Sequence, residues 1–252
     1  MKRSCLAGFL LAALALAPVL SWGQPQELKP IKLNEPNKTR GVSVMEAFAL
    51  RASVREWSDK DLSVQDLSDL LWAANGINRP DGKRTAPSAM NAQDIDIYVF
   101  MKDGAYLYDA AGQMLKPVVA GDHRSEVTAR PGGPGAKPMA KPGEKPEAKP
   151  QMPPPGAKPE AKPGPAGPAS PAPVQLFLIS DISKFRMGET AGKLEIAALD
   201  AGIVSQNIAL FCAGTGLVTR PRASMDKAKL KELLKLTDTQ YPFLNNPVGY
   251  KK

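Results

Sequence analysis

Apolar positions along the chain fall into two rhythms. Ser43-Val44-Met45-Glu46 is a capping box, and Met45, Phe48, Ala49 and Ala52 behind it predict a helix. Ser63-Val64-Gln65-Asp66 repeats that start signal. Leu67, Leu70, Leu71 and Ala74 then share one helical face, and Gly76 is placed to end it. Ile196, Leu199, Ile203, Asn207 and Leu210 predict a long helix over about 190–213, broken by Gly214-Thr215-Gly216. A shorter helix over about 225–236 carries Leu230, Leu233 and Leu234. Between the helices lie extended runs. Ile95 to Phe100 reads as a strand, Asp103-Gly104 as a hairpin turn, and Tyr106-Leu107-Tyr108 as the return. Val174 to Ile179 reads as a buried strand, and a terminal extended segment reaches Gly249. Helices and strands are mixed without a regular βαβ repeat, which predicts an α+β fold with a largely antiparallel sheet.

Two stretches break the pattern. Residues 129–173 hold fifteen prolines and repeat Ala-Lys-Pro at 136–138, 140–142, 148–150, 157–159 and 161–163. Proline removes an amide donor and fixes φ, so neither helix nor sheet runs through such a segment. It contains no aromatic or branched aliphatic side chain to offset the entropy of ordering. An extended, partly polyproline-II coil is expected, with a stretched reach of about 140 Å. Because the apolar pattern resumes at once at Val174, this is one domain with a long insertion. The other break is the N-terminus. Lys2 and Arg3, the apolar run Leu6 to Leu20, and Ser21-Trp22-Gly23 read as a secretory signal peptide cut before Gln24. The run is shorter than a spanning helix needs, so no stable membrane span is expected after cleavage. Residues 24–40 then read as a linker, and the location as exported, to a periplasm.

Charge and reactive side chains narrow the chemistry. The formal net charge is +8, but much of the excess lies in the signal, the insertion and Lys251-Lys252. That makes a diffuse polycation suited to an anionic envelope polymer, not a shaped nucleic-acid groove. The mature chain keeps one cysteine, Cys212, in an apolar helical pattern that reads as a small buried hydrophobe. The single histidine, His123, offers neither a metal cluster nor a rigidly held catalytic base. No catalytic side chain and no metal site are expected.

Three clusters carry candidate binding chemistry. On the last turn of the first helix, Arg51 and Arg55 project from one face, with the Ser53 hydroxyl nearby. They suit a phosphate, although basic residues also commonly complete a helix C-terminus. The loop Arg84 to Gln93 contains Pro87-Ser88-Ala89-Met90-Asn91. Its small residues admit a planar ligand, and Ser88 and Asn91 donate and accept hydrogen bonds; a self-satisfied polar turn is the alternative. Gly214-Thr215-Gly216-Leu217-Val218, with Arg220 and Arg222 behind it, permits close backbone approach, or simply stops a helix. It lacks the spacing and context of a dinucleotide fingerprint.

In their order these marks resemble the nitroreductase superfamily, particularly the branch similar to peptide azoline dehydrogenases. The resemblance spans about 41–121 and 174–250. It rests on Arg-x-Ser-x-Arg at 51–55, Pro-Ser-Ala-x-Asn at 87–91, Asp200-Ala201-Gly202 with Gln206-Asn207, Gly216-Leu217, and Pro247-Val248-Gly249-Tyr250. It implies a homodimeric α+β domain over 41–250, interrupted by 129–173, with FMN at the subunit interface. Arg51, Ser53 and Arg55 would hold the phosphate and one flavin edge. Ser88, Ala89 and Asn91 would reach the flavin from the other subunit. Backbone at Gly216 and Leu217 would line the ring, and Arg222 would help with phosphate. Arg220 has no clear role in the resemblance, while Gln206 and Asn207 would support helix packing at the interface. NAD(P)H or another donor would supply hydride, and a small molecule or peptide would accept it.

Overall fold

The computed structural model describes residues 27–128 and 171–252. The expected signal peptide and all but the last residues of the insertion lie outside them. One sheet organises the described chain, with strand order β1-β4-β3-β2-β5-β7-β6 and antiparallel pairing throughout. The strands are β1 (Ile31–Lys32), β2 (Ile95–Phe100), β3 (Gly104–Asp109), β4 (Met114–Ala120), β5 (Val174–Asp181), β6 (Leu217–Thr219) and β7 (Gln240–Tyr250). Five helices pack around it: α1 (Val44–Leu50), α2 (Val64–Asn75), α3 (Arg124–Thr128), α4 (Thr190–Thr215) and α5 (Lys227–Leu234). The fold is therefore the α+β arrangement that the sequence predicts.

The continuous apolar runs of β2 and β5 follow from burial on both faces. Side chains alternate along a strand. Ile97 and Val99 of β2, with Leu176 and Leu178 of β5, pack against Leu67, Leu70 and Leu71 of α2 and Ala201, Val204 and Ile208 of α4. Tyr98, Phe100, Phe177 and Ile179 face the opposite way and meet Leu230 and Leu234 of α5. The strand that follows the insertion pairs with β2 on one side and β7 on the other, so it is central to the same sheet. The segments before and after the insertion thus build one domain.

Both expected N-caps form. Ser43 accepts the Glu46 amide, and Ser63 accepts the Asp66 amide. Four boundaries differ from expectation. First, α1 stops at Leu50 instead of reaching Ala52 and Arg55. Second, α4 continues through Gly214 to Thr215, and Gly216 supplies the left-handed cap with φ 80°. Third, residues 27–40 are not a free linker. Ile31 and Lys32 pair with β4, Leu33 is buried, and the Asn34 and Asn37 amides bond Ser68 and Asp69 of α2. Neither β1 nor β4 was expected, because each draws its order from cross-strand partners and not from local periodicity. Fourth, Pro171 to Pro173 belong to the packed domain. Ala172 is buried, and the Arg124 guanidinium donates to the Ala172 and Pro173 carbonyls at 3.1 Å each.

Candidate functional site

The first cluster is extended, not helical. Arg51 terminates α1 with φ −59° and ψ 119°. Beyond it the Val54 amide donates to the Thr219 carbonyl at 3.0 Å, and the Ser58 amide to the Tyr250 carbonyl at 3.0 Å. These tertiary bonds take the amides a longer helix would have used. The change of backbone alters the grouping of side chains. In an extended chain, residues two apart share a side. Leu50, Ala52 and Val54 line a cleft of about 300 Å³ with Ala209, Cys212, Leu217 and Thr219. Arg51, Ser53 and Arg55 therefore project together from the other side, and all three are exposed. A helix would have turned Ser53 away from the two arginines. The cleft itself is mainly apolar, is lined also by Gly216 and Lys251, and excludes all three.

The same edge carries two more guanidiniums. Thr219, which receives the Val54 amide, is followed directly by Arg220. Arg222 exchanges backbone bonds with Asn245 at 2.9 and 2.8 Å, and its Nε donates to Asn245 Oδ1 at 2.9 Å. Burial, with the like charge of Arg220 beside it, pushes the Arg222 guanidinium down to about 10. Two cations held together against desolvation favour an anion between or above them. Arg220 has no clear role in the family resemblance. Its two-residue spacing from Arg222, next to a strand, was the available signal.

The second cluster is a tightly bonded loop before β2. Arg84 Nε donates to Gln93 Oε1 at 3.0 Å, and the Gln93 amide donates to Ser88 Oγ at 2.8 Å. The Ala89 amide donates to Asp200 Oδ2 at 3.0 Å. Met90, Asn91 and Gln93 all take positive φ, at 54°, 52° and 49°. Such backbone costs free energy and persists where surrounding contacts over-determine it. Ser88 and Ala89 are half-buried and engaged within the loop; Asn91 is exposed. Asn91 is thus the loop side chain best placed for an external ligand. Gln93, absent from the expected site, holds the loop together.

Within one chain the clusters do not all meet. Arg51, Ser53 and Arg55 lie on the segment bound to β6 and Arg222 just beyond β6, while Gly216 and Leu217 line the cleft on the opposite side of that segment. Leu217 buries its side chain in the core and offers only backbone, while a Cβ added at Gly216 would meet nothing within 4 Å. The Ser88–Asn91 loop instead sits on Asp200, sixteen residues earlier in α4. At the rise of an α-helix that separation is about 24 Å. Asn207 also differs from its expected interface role: its Nδ2 bonds the Ala74 carbonyl of α2 in the same chain at 3.3 Å.

Cys212 is buried, and burial pushes its thiol up. His123 contacts Glu126 and the Ala120 carbonyl in a surface turn. Among the described residues no group of acidic, histidine or cysteine side chains could hold a metal ion.

An antiparallel sheet clasping one long apolar helix, with a basic extended segment bound along its edge, defines the scaffold as α+β. The chain belongs to the nitroreductase family, whose model matches residues 49–250, and so to a family of flavin-dependent oxidoreductases. It is similar to a candidate nitroreductase of Methanocaldococcus jannaschii, MJ1384, with 23% identity over 216 residues, covering 83% of this chain and 92% of that protein. The crystal structure of a candidate nitroreductase from Ralstonia eutropha JMP134 matches with a TM-score of 0.69 and 28% identity, covering 88% of this chain and 90% of that one. The Escherichia coli microcin synthetase McbBCD complex shares the fold, with a TM-score of 0.55, 14% identity, and coverage of 96% and 85%.

Proposed function

We propose that this protein is an FMN-dependent oxidoreductase that works as a homodimer, with each flavin held between two chains. The observation that carries this reading is the extended Arg51-Ala52-Ser53-Val54-Arg55 segment. It presents two guanidiniums and a hydroxyl on one side, beside the Arg220–Arg222 pair. That donor set fits a flavin phosphate. Arg51, Arg55 and Arg222 supply charge-assisted donors, and Ser53 adds a hydroxyl. The open backbone at Gly216 and Leu217 leaves room for a ring against the chain. Bound FMN supplies two-electron hydride chemistry, and the protein's part is placement and electrostatics. No side chain is assigned a catalytic role.

Dimerisation is supported by an uncovered apolar face. Helix α4 is apolar almost all round, yet only one side of it meets the sheet and α2. Leu199 is 69% exposed and Ile203 is also exposed. Val44, Met45, Phe48 and Leu50 of α1 are exposed too, Met45 at 73%, while Ala47 alone is buried. A helix of this length does not persist in water on its own propensity. An apolar surface spanning two helices marks an interface. A two-fold axis across α4 buries it and brings the Ser88–Asn91 loop of one chain toward Gly216 of the other, closing the roughly 24 Å gap.

Lys2, Arg3 and the Leu6–Leu20 run support export to a periplasm, with the Lys/Pro-rich insertion available to an anionic envelope polymer. Electrons would come from NAD(P)H or another donor and pass to a small-molecule or peptide acceptor. The deciding experiment incubates the mature protein with FMN, desalts it and records the visible spectrum. A retained flavin that bleaches with NADH or NADPH supports the full reading. Retained flavin without bleaching points to another donor. No retained flavin favours a binding or scaffold protein that has kept the fold without the chemistry.

A further inference from the structure

Behind the Ser88–Gln93 loop sits a pair of acids that flavin binding leaves unexplained. Asp94 joins the loop to β2 and is fully buried; Asp200 faces it from α4 and is 4% exposed. Ser180 Oγ of β5 donates to Asp94 Oδ2 at 2.5 Å, and the Asp181 amide bonds the Asp94 carbonyl at 2.9 Å. The Asp200 carboxyl is near enough to act on Asp94, and the buried Asp94 Oδ1 has no hydrogen-bond partner among the described residues. Asp200 Oδ2 receives the Ala89 amide at 3.0 Å. Two carboxylates this close and away from water cannot both stay ionised, whereas one shared proton relieves the repulsion and fills the vacant Oδ1 position.

The surrounding charged groups are committed elsewhere. In the loop, Arg84 bonds Gln93 and the Asn75 carbonyl. Lys184 bonds Asp96 and the Gln93 carbonyl, and Asp181 takes the Ser183 hydroxyl and amide. Burial, opposed by the Ser180 hydrogen bond and reinforced by the neighbouring Asp200 carboxyl, pushes Asp94 up to about 7. The loop over this pair is the one with three non-glycine residues at positive φ. It needs external anchors, and the Ala89–Asp200 bond is one of them.

We propose that Asp94 and Asp200 form a single-proton acid pair that positions the Ser88–Gln93 loop for its ligand. With the proton in place, the two carboxyls stay together and Asp200 holds the Ala89 amide. When it leaves, the anions separate, the anchor is lost and the loop relaxes. The pair is a positioning device, and its link to function rests on the loop being a flavin contact.

Amide hydrogen exchange on the full chain without flavin, corrected for intrinsic rates, tests the pair directly. Protection of the 86–93 peptide should fall about tenfold between about pH 6 and about pH 8 in the wild type. In Asp94→Asn it should stay level, because the amide side chain donates permanently to Asp200. A level wild-type profile overturns the proposal. Should the variant fail to fold, infrared titration of the wild type serves instead. The carbonyl band of a buried protonated acid is expected near pH 6 and lost near pH 8, and its absence at the lower pH overturns the pair. FMN titrations over the same range separate the two claims. A wild-type affinity that falls about tenfold, and stays level in Asp94→Asn, supports both. Protection that switches with pH in a chain that never binds FMN supports the pair and sinks the flavin reading. Bound FMN over a pH-independent loop does the reverse.

Discussion

The Val54 amide donates to the Thr219 carbonyl at 3.0 Å, and this bond decides how the phosphate-binding candidates are presented. It draws residues 51–55 out of the helix and along β6. Arg51, Ser53 and Arg55 thereby share one side of an extended segment that crosses Thr219, the residue before Arg220. Replacing Arg51 and Arg55 together by alanine should lower FMN affinity by about 100-fold or more, since each removes charge-assisted donors to a phosphate. Both side chains are exposed, so the melting temperature should hardly change. Flavin content after desalting, beside a thermal melt, checks both parts. Unchanged flavin content would refute the phosphate role.

Leu199 and Phe48 test the shared site from the protein side. Both are large, apolar and exposed, at 69% and 53%. The wild-type mature protein should run as a dimer by light scattering. Leu199→Glu, which places a charge on the α4 face, should shift it to a folded monomer and release the flavin together with the partner. A flavin-loaded monomer of either protein would contradict a site shared between chains.

Much of this architecture is legible in the sequence because local signals and tertiary packing agree there. Ser43 and Ser63 cap as their spacing suggests, and β2 and β5 fill the sheet centre as their apolar runs require. Legibility fails where distant partners decide the backbone. Arg51 and Arg55 look helical by spacing, yet Thr219 and Tyr250, far away in sequence, claim the nearby amides. Short β1 exists only through its pairing with β4. The Leu199–Ile203 stripe is readable as helix, but nothing local says that it faces outward while Ala201, Val204 and Ile208 face the sheet. The candidate site is legible as three clusters in order. The separation of two of them along α4 is not, because it depends on which end of the helix each loop meets.

The ends of the insertion give a paired deletion test. Arg124 is buried, bonds both Asp122 oxygens, and donates to the carbonyls of Ala172 and Pro173. Removing residues 129–170 with a short flexible replacement should leave the melting temperature nearly unchanged, because that sequence offers no core side chains. Extending the deletion through Pro173, which takes two acceptors from the buried Arg124 guanidinium, or making Arg124→Ala, which leaves the Ala172 and Pro173 carbonyls unpaired, should cost about 2–4 kcal/mol. Denaturant melts compare the three directly. A collapse on the shorter deletion would show that the removed segment packs.

Asp66 links three parts of the fold and sets a pH dependence with a definite sign. Its carboxylate receives the Ser63 hydroxyl at 2.6 Å and the Tyr250 hydroxyl at 2.5 Å, and it pairs with Arg40 at 2.8 Å. It thus ties the N-terminal segment to α2 and to the end of β7. Burial pushes this carboxyl up, but the bonds from Ser63, Tyr250 and Arg40 together outweigh it and hold the group below the usual aspartate range. An acid whose pKa is lower in the folded state stabilises the fold above its unfolded pKa, here about 4, and loses that contribution as pH falls through the folded value. Asp66→Asn should therefore cost about 1–2 kcal/mol near neutral pH, where it removes a charge-assisted network. The gap from wild type should narrow steadily below about pH 4 and close in stronger acid. Urea melts at three or four pH values measure it. A constant gap across that range would mean that Asp66 contributes through shape and not through charge.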